Sequence, residues 1–315
     1  MNEDNKSEYL KSLKSLDTEE HIDLFFYRRV GYAWACLAKK LHVTPNAITI
    51  ASIILGIAAG WLFYYNELWI NVIGMLLLVW ANSFDSADGQ LARMTHQYSR
   101  LGRVLDGAAG DLWFFAIYLA IILRENTFSP FFSAHTWVIW AIAVAAALCH
   151  AKQASMADCY RQFHLYFLKG KEGSELDNAD VLRERYQAMK WGDNWFQKLV
   201  LFFYSNYTNG QESMTPAMQR LRRELRKQFP GETPIPTSFR EDFRQASLPL
   251  MKYTNILSFN WRTIALFASL FAAQPWLYFV FELTVLNAIL VYMMLRHESM
   301  CRRFTKALQE GQYAA

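Results

Sequence analysis

Cysteine is scarce in this sequence and shows no pairing. Its four cysteines, Cys36, Cys149, Cys159 and Cys301, form no CxxC pair, which argues against a disulfide framework and against a zinc site. His96, His150 and His164 show no ligand spacing and read as polar surface or packing residues. The chain has no internal repeat, which excludes solenoid and propeller arrays, and no low-complexity tract. The first apolar run starts too far along, and lacks the small-residue cleavage site, for a secretory signal. Charged residues make up only 19% of the chain with a net charge of +4, so the balance says little about nucleic acid. Topology and anionic lipid headgroups account better for the basic residues.

What the chain does have is apolar mass: 53% hydrophobic and 16% aromatic residues, more than an ordinary soluble domain carries. Apolar blocks alternate with charged ones. Windows of about 17–20 residues are long enough to span a bilayer, and they fall at 47–65, 68–84, 107–123, 136–151, 256–273 and 276–295. The third is the weakest, since it begins GAAGD. Six spans return both termini to one side. The loops on the other side, 66–67, 124–135 and 274–275, hold one basic residue, Arg124. By the positive-inside rule the termini are cytosolic. The expected protein is therefore an all-α, polytopic membrane protein with six transmembrane helices.

Residues 1–20 form a polar tail. From 24 to 43 the pattern is amphipathic: Phe26, Val30, Ala33, Leu37 and Leu41 share one face, with Arg28 and Lys39 opposite. A basic helix with an aromatic face is expected to lie in the membrane interface, so 21–45 is read as an interfacial helix. Transmembrane helices 1–4 occupy 46–152, a cytosolic helical insertion 153–255, helices 5–6 256–296 and a cytosolic tail 297–315. Within the insertion, LVLFFY at 199–204 is too short to cross a bilayer. It reads equally as a second interfacial element or a buried helix. PGETPIPT at 230–237 reads as a loop, and the charge run around Arg220–Lys227 as a solvated face.

The chemistry concentrates in DSADGQLARMTHQYSRLGRVLDGAAGD, residues 85–111. Carboxylates beside hydrocarbon are costly and are seldom there without a role. Asp85 and Asp88, at i and i+3, share a helix face. Two oxygen-rich helix ends facing each other make a cage for hard divalent cations such as Mg²⁺, which favour carboxylates plus substrate phosphates. Arg93 can pair with phosphate through its planar fork. Helix capping explains any one aspartate well enough, but not the set together with Arg93 and the glycines.

The pattern DxxDGxxARx₈GxxxD, here Asp85, Asp88, Gly89, Ala92, Arg93, Gly102 and Asp106, resembles the signature of the CDP-alcohol phosphotransferases. Pro45-Asn46-Ala47-Ile48-Thr49 is similar to the PN-x-x-T that opens their first span. The close resemblance covers roughly residues 40–150. It implies a membrane enzyme of phospholipid synthesis that moves a phospho-alcohol from a CDP-linked donor to a second alcohol and releases CMP. It also implies two divalent ions (Mg²⁺ or Mn²⁺) on Asp85, Asp88, Asp106 and Asp111, and a CDP cradle of Gly89, Ala92, Arg93 and Gly102; members of the family often form homodimers. The family's last aspartate lies four residues after the third. Here that position is Gly110, and the carboxylate comes at Asp111, about 100° further round a regular helix. A π-bulge over 107–110 would bring it back. On that basis Asp111 is the expected catalytic base, with Asp106 as fallback. The donor is either CDP-diacylglycerol or a CDP-linked polar alcohol. Arg103, Lys152 and Arg262 are candidates for a phosphate pocket, or plain positive-inside flanks. Glu282, in the last window, reads as a structural hydrogen bond or a contact to a polar substrate group. The rival reading is a member that has lost its chemistry through the Gly110 change and binds metal or nucleotide only.

Overall fold

The computed structural model describes residues 8–9, 12–13, 15–169, 178–230 and 234–313, without the side chains of 100, 101, 103, 104, 169, 191 and 193. Parts of the expected tail (1–7, 10–11 and 14), part of the 230–237 loop and the Arg103 side chain lie outside that set. Every regular element among the described residues is helical.

A π-helical turn, Asp23–Tyr27, runs into helix α1, Arg28–Lys40. Then follow α2 (Pro45–Leu62), α3 (Leu68–Thr95), α4 (Arg100–Phe128) and α5 (Thr136–Lys169). Six further helices come next: α6 (Ala179–Ala188), α7 (Trp191–Met214), α8 (Pro216–Gln228), α9 (Thr237–Ser247), α10 (Met251–Ile256) and α11 (Phe259–Phe271). The last, α12, is Leu277–Gln309, with a π-helical stretch at Glu282–Leu286. Among the described residues, five segments are long and apolar enough to cross a membrane: α2, α3, Leu105–Phe128 of α4, Thr136–Leu168 of α5, and α12. The window at 256–273 differs from expectation. Its helix is α11, 13 residues long, or about 20 Å of rise, shorter than the usual span of about 20 residues.

The chain divides into two compact units, Met1–Leu148 with Asn260–Leu283, and Cys149–Phe259 with Thr284–Ala315. In the first, α2 packs on α3 and α4, and α1 packs on α3. Thr44 and Pro45 start α2: the Thr44 hydroxyl accepts from Ala47 N at 3.4 Å, and proline occupies the first helical turn, where no N–H is needed. Small residues set how closely the helices approach. A Cβ on Gly56 would lie 2.1 Å from the Trp113 ring, so only glycine lets α2 and α4 meet there. Arg124, the one basic residue of the expected outer loops, is buried. It donates to Asn71 Oδ1 (2.6 Å), Asn66 Oδ1 (3.1 Å) and the Phe63 carbonyl (3.2 Å), which lies just past the end of α2.

Glu282 resolves as structural. It accepts hydrogen bonds from Arg262, from Tyr118 and from Tyr278 (2.7 Å), all fully buried or nearly so. Arg262 is thereby committed to an ion pair and is not displayed on the surface.

In the second unit, Phe163, Phe167, Phe239, Phe243 and Phe304 form an aromatic core. Glu298 accepts from Ala217 N (2.7 Å) and Met218 N (3.3 Å), an acidic cap where the α8 dipole favours one. The two π-helical stretches are local widenings, and none occurs in α4, which is α-helical from Arg100 to Phe128.

Candidate active site

Asp85 and Asp88 lie one turn apart on α3, and Asp106 lies in the second turn of α4. Carboxylate oxygens of the three lie within 4.8 Å of one another. Asp88 is buried, Asp85 half-buried and Asp106 exposed, so the group is an acidic recess open on one side. Carboxylates so close repel one another in a low dielectric. Hard oxygen donors converging from two helices suit a divalent cation of the Mg²⁺ type.

Neighbouring residues fix these carboxylates. Thr49, buried on α2, donates its hydroxyl to Asp88 Oδ2 at 2.5 Å, which holds one oxygen and leaves the other to turn inward. Arg28 of α1 donates to Ser86 Oγ (3.1 Å), between the two α3 aspartates, and pairs with Glu19 at 2.9 Å. Burial works against the charge on Arg28. The charges of Glu19, Asp23 and Asp85 outweigh it and raise its pKa above the ordinary value. Arg28 is thus a fixed cation beside the acidic group.

Arg93 Nε donates to the Ser12 carbonyl, and Gln90 Nε2 donates to Ser12 Oγ at 3.2 Å. The described part of the N-terminal tail therefore lies on the face of α3 that carries the motif arginine. A Cβ on Gly89 would meet the Arg93 guanidinium at 3.4 Å, an ordinary contact, so the guanidinium lies along that glycine. Ala92 is half-buried. Gly102 is crowded: a Cβ there would lie 2.5 Å from Asn46 Oδ1 and 2.9 Å from Ser99 Oγ. Ser99 caps α4 by accepting from Gly102 N at 2.8 Å, and donates to Asn46 at 3.0 Å. The glycine lets the start of α2 close onto the start of α4.

Asp111 does not join the group. The expected π-bulge over 107–110 is not formed, and five residues of regular α-helix put Asp111 about 140° round from Asp106. Gly107 and Gly110 border open space, with nothing within 4 Å of an added Cβ. Sequence reasoning passed over Thr49 as a carboxylate holder, although it is the last residue of the PN-x-x-T resemblance. It assigned Arg28 only to the polar face of an interfacial helix.

The chain is thus a helical, membrane-type protein whose three convergent aspartates could hold a metal ion. Residues 42–161, which contain all three aspartates, match the family model of CDP-alcohol phosphatidyltransferase. The family is one of transferases that act on CDP-linked alcohols in phospholipid synthesis. No curated protein and no solved structure matches the chain.

Proposed function

We propose that this protein transfers a phospho-alcohol from a CDP-linked donor to a second alcohol and releases CMP. The observation that carries the proposal is the approach of Asp85, Asp88 and Asp106 to within 4.8 Å inside the family-matched segment. These residues would hold Mg²⁺ or Mn²⁺, two ions in the reading the resemblance suggests. When bound, the metal supplies charge neutralisation of the donor pyrophosphate and a Lewis acid for the leaving phosphate. Arg93 orients a phosphate once the Ser12 carbonyl releases it. Gly89 and Ala92 leave room for the nucleotide beside the α3 backbone, while Gly102 serves the closure of α2 onto α4. Thr49 keeps Asp88 oriented toward the other two carboxylates. The acceptor hydroxyl gives its proton to a carboxylate as its oxygen bonds to the phosphorus distal to cytidine. The bridging P–O bond breaks, and CMP leaves with that electron pair. Asp106 already stands in the group and can take the proton. Asp111 takes it only if the Gly107–Gly110 stretch rearranges on donor binding.

In the same reading α11 is the sixth span, α1 lies in the interface, and the termini and aspartates face the cytosol, in keeping with the distribution of Lys and Arg. Ala33 and Leu37 of α1, with Phe26 just before it and Leu41 just after it, are exposed, while Gly31, Ala35 and Ala38 are buried. That is the arrangement expected when lipid covers the larger side chains.

The test is CMP release by the purified protein in lipid–detergent micelles with Mg²⁺ or Mn²⁺. A panel of CDP donors is crossed with lipid and polar acceptors, with Asp106→Asn as control. Metal-dependent CMP from one donor–acceptor pair, lost in the variant, establishes the reaction and names the substrates. Nucleotide binding without CMP from any pair would overturn it in favour of a protein that kept the site and lost turnover. Asp111→Asn separates the two bases, because full activity in that variant leaves Asp106 as proton acceptor.

A further inference from the structure

Helix α7 contains the apolar patch 199–204. It is broken at Asn194 (φ −164°, ψ 67°), so the regular helix begins at Trp195, and it is not among the helices apolar enough to cross a membrane. The structure does not bury the patch. Trp195 is 63% exposed, Phe196 46%, Phe202 41% and Phe203 63%. At about 100° per residue these four and Leu199 fall within a third of a turn. Lys198, Ser205 and Thr208, on the other side, are buried. The helix is anchored there: Lys198 Nζ donates to the Met189 carbonyl at 2.6 Å and sits 4.9 Å over the Tyr186 ring of α6. The outward aromatic face is thus held outward by its own unit.

Lipid-facing positions on the span-length helices show the same exposure, for example Ile54 62%, Leu76 65% and Phe115 69%. Such contiguous apolar surface needs a cover. Trp and Phe beside a polar helix face are the composition of an interfacial helix, whereas a span would require apolar residues all round. In α6 and the link from it to α7, exposed Arg183, Arg185 and Lys190 outnumber exposed Asp180 and Glu184, a balance suited to phosphate headgroups.

We propose that α7 is a lipid-docking element: its Trp195–Phe203 face inserts into the headgroup–acyl boundary, and α6 meets the headgroups. This rests on the protein being membrane-embedded and not on the proposed reaction. The experiment uses the full chain in lipid nanodiscs, with the half-buried Cys36 and Cys149 replaced by serine. An environment-sensitive fluorophore is attached at Phe203→Cys, with Glu184→Cys as reference. Nitroxide-labelled lipid is expected to remove most of the emission at position 203 and little at 184, and aqueous iodide to do the reverse. Trp195→Cys gives the same reading if the Phe203 variant misfolds. Equal iodide access at 203 and 184 would overturn the proposal. So would shielding from both quenchers that appears only when two copies share a disc, because the face would then be a protein interface. CMP release is read separately, so loss of turnover with lipid quenching intact leaves this inference standing.

Discussion

Glu282 and the aspartates of α3 and α4 belong to the same unit, and both place carboxylate oxygens among apolar helices. Glu282 meets a guanidinium and two phenol hydroxyls, so its charge is answered by the chain itself. Asp85, Asp88 and Asp106 bring carboxylate oxygens within 4.8 Å of one another, with the Thr49 hydroxyl on Asp88 and Arg28 bonded to Ser86 between the α3 pair. A buried acid that the fold neutralises is structural. Acids that the fold crowds together, open on one side, are poised for an external cation. The distinction predicts opposite results from the same type of substitution.

The largest effect is expected at the crowded set. Asp85→Asn or Asp88→Asn should remove about 5 kcal/mol of transition-state stabilisation, roughly four decades in CMP release. Thermal stability should hold or rise, since repulsion is relieved. If stability falls as far as activity, the aspartates are structural and the contrast with Glu282 collapses. At the neutralised site the order reverses. Arg262→Leu leaves a buried carboxylate without its cation and should cost about 4 kcal/mol in unfolding experiments. Arg262→Leu combined with Glu282→Gln should recover most of it, because no charge is left unpaired and the amide oxygen still accepts from Tyr118 and Tyr278. The double variant should also retain metal-dependent turnover if folded.

Thr49→Val sharpens the comparison at a smaller scale. It deletes the one described side-chain donor to Asp88 and keeps the shape. A hydrogen bond to a charged group contributes about 2 kcal/mol, and outer partners of metal ligands typically shift affinity 10–100-fold. The expected outcome is a higher Mg²⁺ or Mn²⁺ requirement in a titration of CMP release, with little loss at saturating metal. An unchanged metal requirement would mean that Asp88 needs no holding.

How much of this the sequence reveals depends on distance along the chain. Asp85 and Asp88 are three residues apart, and helix geometry alone puts them on one face. The apolar windows likewise follow from local hydropathy. Thr49 reaches Asp88 across 39 residues, Arg28 reaches Ser86 across 58, and Arg93 reaches Ser12 across 81. Periodicity carries no information about such pairs. The short α11 has a different cause. The apolar window at 256–273 includes Leu257 and Ser258, which turn the chain between α10 and α11, with Ser258 N donating to the Asn255 carbonyl at 2.9 Å. Hydropathy averages over that break. The bulge at 107–110 failed because two glycines weaken a ladder without dictating where it yields.

The smallest effects separate the glycines of α4. Gly102→Ala pushes a methyl against Asn46 and Ser99 where both are already bonded, and should cost about 1–2 kcal/mol as an overpacked contact. Gly110→Ala meets open space and should gain up to about 1 kcal/mol from helix propensity. The same alanine stiffens the stretch that must rearrange if Asp111 is to enter the site. A variant that melts higher yet releases CMP more slowly would show that catalysis uses a distorted α4 and would return the base to Asp111. Unchanged turnover would fix the base at Asp106.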